Sequence, residues 1–66
     1  MDKPKNAKLK AARELSGKTQ TQVAKDLGIY YRLYQKYEYN EAIPTAIIAN
    51  RIARYFNTTS EILWGF

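Results

Sequence analysis

Sixty-six residues make one domain with a small core, since a chain of this length buries only about 60% of its unfolded surface. An apolar share of 45% excludes a disordered chain, and the lack of cysteine and histidine excludes disulfides, thiolate metal sites and the commonest general base. The formal net charge of +5 is the footprint of a polyanion binder, with general solubility as its plain alternative.

The residues predict an all-α domain of five short helices around one core. Asn6 is placed to cap the first, which runs to about Leu15 with Leu9 and Ala12 one turn apart. Ser16-Gly17-Lys18 breaks it. Thr19 opens the second with a capping box, its hydroxyl accepting from the Gln22 amide while the Gln22 side chain reaches back. Val23, Ala24 and Leu27 form an apolar face, and Gly28 follows where a helix end wants a residue that tolerates positive φ.

A third helix fits Tyr30 to Glu38, with Tyr34 and Tyr37 sharing a face. Tyr39-Asn40-Glu41-Ala42 reads as a loop, with Asn40 suited to a left-handed position. Pro44-Thr45 opens a fourth helix, capped by Thr45 and striped by Ile48, Ile52, Tyr55 and Phe56, and Asn57 ends it. Thr59 caps a short fifth helix holding Ile62 and Leu63. No repeat, linker or strand pattern interrupts the series, so residues 1–66 form a single domain, with 1–5 as a flexible basic N-terminus.

The charge is uneven. Residues 1–36 hold nine bases and three acids, or +6, whereas 37–66 hold two bases and three acids, or −1. Glu14, Asp26 and Glu41 are scattered and read as surface charges, and no carboxylate pair shares a helical face, so the chain is expected not to be an enzyme and to need no metal or cofactor. No apolar run is long enough to span a membrane, and the polar start lacks a signal-peptide pattern, so a cytoplasmic location is expected.

Thr19 to Glu38 is the informative stretch: a helix, a tight turn at Gly28-Ile29, and another helix. Ala24 is small where the second helix must cross the third, Gly28 permits a short turn, and Ile29 plugs that turn into the core. Together with Leu9-x-x-x-Arg13, Tyr34-x-x-Tyr37-Glu38, Pro44, Ile52-Ala53-x-x-Phe56 and Leu63-Trp64-Gly65, this stretch resembles the helix-turn-helix domain of phage repressors, Cro proteins and related bacterial regulators. The resemblance runs from about Leu9 to Gly65.

That resemblance implies a repressor-like bundle whose third helix enters the major groove of double-stranded DNA. It implies base reading by Tyr31, Arg32 and Lys36, with Arg32 suited to guanine and Leu33 to a thymine methyl. Thr19, Gln20, Tyr30, Gln35, Tyr39 and Asn40 are the implied backbone contacts, and Arg13 with Glu38 an implied structural ion pair. Lys3, Lys5, Lys8 and Lys10 either track phosphates as an arm or merely solvate the chain end. Five of the six tyrosines fall within residues 30–39, a possible stacking platform, but helical spacing divides them between two faces.

Three positions depart from the family pattern. Tyr30 stands where a short hydroxyl residue usually caps the third helix, Leu33 where a small polar residue is common, and Asn40 where glycine is frequent. The family usually acts as a symmetric dimer on palindromic sites, and Ile62, Trp64 and Phe66 are the candidate two-fold contacts. The implied function is a repressor in a bacterial or phage-infected cell. The alternative is an antitoxin-like module whose main partner is a protein and whose DNA binding is secondary.

Overall fold

In a computed structural model, residues 5–66 are described and form five helices: α1 (Ala7–Leu15), α2 (Gln20–Leu27), α3 (Tyr31–Glu38), α4 (Ala46–Tyr55) and α5 (Ser60–Trp64). The expected basic N-terminus therefore lies mostly outside the described residues, Lys3 included. Four helices start at a side chain that accepts one of their unpaired amides. Asn6 Oδ1 accepts from Leu9 at 3.0 Å, and Thr19, Thr45 and Thr59 accept from Gln22, Ile48 and Ile62 at 3.2–3.3 Å. At Thr19 the box closes, because its own amide donates to Gln22 Oε1 at 2.9 Å.

The third helix is the exception. It begins at Tyr31, one residue later than its spacing suggests, and Tyr30 stands outside it in an extended conformation with no side-chain cap bond. A rigid phenol cannot fold back onto the first-turn amides as a short hydroxyl does. Gly28, at φ 71°, turns the chain out of α2, and the Ile29 amide closes the turn on Ala24 O at 3.0 Å.

The helices bury Leu9, Val23, Ala24, Leu27, Tyr34, Tyr37, Ile52, Ala53 and Leu63 in one cluster, with Ile29, Leu33, Ile48, Phe56 and Trp64 packed against it. Polar bonds then tie distant segments. Asn6 is buried; its amide side chain donates to Leu63 O at 2.9 Å and its backbone N–H to Glu38 O at 2.9 Å. One residue thus joins the start of α1 to the ends of α3 and α5. Arg51, on α4, donates to Leu27 O at 2.6 Å and satisfies an end carbonyl of α2. Asp26 accepts from Tyr55 at 2.6 Å and from Lys18 at 3.0 Å, pinning α2 to α4 from the solvent side.

Candidate nucleic-acid interface

One hundred degrees per residue sorts α3 into faces. Tyr34, Tyr37 and Glu38 point inward and are buried. Arg32 and Lys36, only 40° apart on the helical wheel by that spacing, point the opposite way and are exposed. Tyr31 and Gln35 share the flank toward α2, and half-buried Leu33 occupies the other flank. Burial of the tyrosine face therefore decides which side chains α3 offers to solvent. Tyr30, Tyr31, Arg32, Leu33 and Lys36 together line a cleft of about 560 Å³ at the start of the helix.

Behind this face lies a polar network. Arg13 grips Glu38 with two nitrogens, Nε to Oε2 at 2.6 Å and Nη2 to Oε1 at 3.3 Å, while Nη1 donates to Lys18 O at 3.1 Å. The Glu38 side chain is 1% exposed and that of Arg13 14%. Gln20 Nε2 donates to the same carboxylate at 3.1 Å. Gln20 Oε1 accepts from the Tyr31 hydroxyl and from Gln35 Nε2, each at 3.4 Å, and Gln35 Nε2 also donates to the Tyr31 hydroxyl at 2.8 Å. A continuous chain of contacts thus runs from a buried ion pair to an exposed phenol on α3.

The electrostatics follow from that geometry. Burial pushes the Glu38 carboxyl up, but the Arg13 hydrogen bonds, the nearby Tyr34 hydroxyl, the Gln20 hydrogen bond and the Arg13 charge together outweigh it, so its pKa lies below the ordinary value. The hydrogen bond to Glu38 raises Arg13. Burial, with the Glu38 carboxylate alongside, drives the Tyr34 phenol well above the tyrosine range. The Tyr34 hydroxyl lies near Glu38 but outside hydrogen-bonding geometry with any described residue.

The remaining sequence-derived candidates are distributed as follows. The Thr19 hydroxyl is engaged by its own helix. Tyr30 is 84% exposed. Tyr39 is half-buried under the Lys5 ammonium, 5.2 Å from its ring centre, and Asn40 is exposed at φ 57°. Ile62 and Phe66 are exposed; Trp64 is half-buried and stacks on Phe66 at 6.4 Å between ring centres. These chain-end residues lie apart from the α3 cleft, since none of them lines it. The network-building role of Gln35 escaped the sequence reading, where only its place one turn after Tyr31 hinted at it.

A family model described as Helix-turn-helix matches residues 9–63. The chain belongs to the Cro/C1-type helix-turn-helix family. As a member of this family, the protein is a DNA-binding helix-turn-helix regulator whose ligand is double-stranded DNA. No curated protein and no solved structure matches it. The matched segment contains the whole of the helix-turn-helix and the Arg13–Glu38 pair, and stops one residue short of Trp64. No helix among the described residues is long and apolar enough to cross a membrane.

Proposed function

We propose that this regulator is a repressor that binds a palindromic operator as a homodimer, with α3 in the major groove. The observation that carries the reading is the exposure of Arg32 and Lys36 on the face of α3 opposite its buried tyrosines. An arginine fork there matches the two acceptors of guanine, and Lys36, one turn on, reaches a second base or a phosphate. Tyr31 presents its ring edge and hydroxyl to the groove. Gln20 has one amide hydrogen on Glu38 and a second for a phosphate, beside the unpaired first amides of α2. Thr19, Tyr30, Gln35, Tyr39 and Asn40 flank the duplex backbone in this pose.

The homodimer reading is supported by exposed Ile62 and Phe66 beside Trp64. Two recognition helices related by a two-fold axis meet major grooves about 34–36 Å apart. A second reading, an antitoxin-like module with a protein partner, is favoured by one observation: an apolar groove along α1 and α5. There Leu15 is 89% exposed and Ile62 54%, and no α3 residue lines the groove.

Selection of bound duplexes from a random pool tests the first reading, followed by titration and sedimentation of the winner. A palindrome with half-sites one turn apart, bound by two chains, supports it. Salt-sensitive binding with no enriched sequence, together with one stoichiometric protein partner in a pull-down, favours the second.

A further inference from the structure

We infer that the cleft between the start of α1 and the chain end binds a small aromatic monocarboxylate. Its volume is about 540 Å³, within the range of sites that take small organic ligands, and no α3 residue lines it.

The lining divides by chemistry. Ile43, Ile62, Trp64 and Phe66 supply apolar surface, and Lys5 and Lys8 supply ammonium groups. Glu61 is the single acid of the lining, so two positive charges stand against one negative. One carboxylate balances that set, whereas a polyphosphate would bring further negative charge toward Glu61. An inorganic anion would leave the apolar walls in water, with Ile43 72% and Phe66 48% exposed. An organic acid covers them and gains from their burial.

Two further observations point to an acceptor and a ring. The Trp64 Nε1–H is buried and has no hydrogen-bond partner. A buried donor left unmade costs free energy that an incoming carboxylate recovers. Phe66 stacks on Trp64 at 28° with 6.4 Å between ring centres, toward the outer end of the range for aromatic pairs. Its ring is therefore a loosely held wall, and a modest swing makes room beside the indole. In this pose the carboxylate lies among Lys5, Lys8 and the indole N–H, and the ligand ring packs on Phe66, Ile43 and Ile62.

Ile62, Trp64 and Phe66 are also the proposed two-fold contacts. Ligand and second copy then compete for one surface, so the acid lowers operator occupancy. This consequence, unlike the site itself, rests on the homodimer reading.

The chain holds one tryptophan, so its indole N–H gives a single resonance in a nitrogen–proton correlation spectrum. Titrating the full chain with 1-naphthylacetate should shift that resonance with a Kd of about 1 mM or below, the affinity expected for a ligand of this size. 1-Naphthylmethylamine has the same rings and the opposite charge, and acetate has the charge without the rings. Each should bind at least about tenfold more weakly. Lys8→Gln should weaken the acid about threefold, whereas Lys25→Gln, which removes one charge outside the cleft, should leave it unchanged.

An indole resonance that stays in place, or an amine that binds as tightly as the acid, overturns the site and leaves operator selection untouched. Equal weakening by Lys8→Gln and Lys25→Gln reduces the binding to general attraction by a basic chain and overturns it as well. Sedimentation of the operator complex tests the consequence. Loss of the second chain on adding 1-naphthylacetate supports competition, and an unchanged complex overturns competition alone. A single chain on the operator without any acid overturns the homodimer reading and the competition with it, while the site stands or falls on the titration.

Discussion

Replacing Glu38 by alanine should unfold the domain well before it changes which DNA is bound. The carboxylate accepts from Arg13 at 2.6 and 3.3 Å and from Gln20 at 3.1 Å, and its side chain is 1% exposed. Alanine leaves the largely buried Arg13 guanidinium without its counter-charge, which costs about 3–5 kcal/mol. In a domain of this size each kcal/mol moves the melting temperature by about 4–8 °C, so the loss should be at least about 12 °C.

Circular dichroism melts of the parent and Glu38→Ala measure it. The double variant Arg13→Met with Glu38→Leu is the control, because replacing both charges by apolar groups of similar size removes the stranded ion and should recover most of the stability. A Glu38→Ala melt within about 4 °C of the parent, equivalent to under about 1 kcal/mol, would refute the reasoning. So would a double variant as unstable as the single one.

The same pair predicts a pH dependence. The folded pKa of Glu38 is depressed, so its contribution is complete above the ordinary value of 4.5 and is lost as pH falls through the folded value. Acid melts should show a steeper loss below that point for the parent than for Glu38→Gln; parallel curves would contradict it. At Gly28, φ is 71° and no heavy atom lies within 4 Å of an added Cβ, so alanine meets backbone strain alone. It should cost about 1 kcal/mol, with asparagine costing less, and equal denaturation midpoints for all three would exclude this account. Arg32→Ala should weaken the selected operator by about 1–3 kcal/mol and relax preference at one base pair, whereas Gln20→Ala should weaken selected and random duplexes alike. Titrations on both duplexes separate the roles, and matching profiles for the two variants would sink the distinction.

What the sequence discloses and what it hides divide along chain separation. Caps and turn residues act over three or four positions, so Asn6, Thr19, Gly28, Thr45 and Thr59 are readable from order alone. The inward face of α3 is readable as well, since Tyr34 and Tyr37 repeat at helical spacing. The bonds from Asn6 to Leu63, from Gln20 to Glu38 and from Arg51 to Leu27 join residues 57, 18 and 24 apart, and no local pattern announces them. The Arg13 and Glu38 pairing was approachable only through family resemblance. At Tyr30 the helix boundary shifts because residue type, rather than periodicity, decides where a helix without a side-chain cap begins. For the exposed face of α3, helical spacing shows which side chains leave the core. It does not show that Gln35 and Gln20 hold the Tyr31 hydroxyl in place.

The bond from Asn6 to Leu63, at 2.9 Å, brings residues near the two ends of the described chain into direct contact. A short glycine-serine bridge should therefore splice residue 66 to residue 5 without dragging on α1 or α5, and new termini opened in the loop between α3 and α4 should yield a circularly permuted domain. The same closeness means that labels attached at residues 5 and 66 crowd one another and the exposed rim of Ile62 and Phe66. Reporter proteins intended to leave that rim clear belong at the rewired opening instead, and a tandem two-copy chain needs a linker long enough to cross from one such junction to the next.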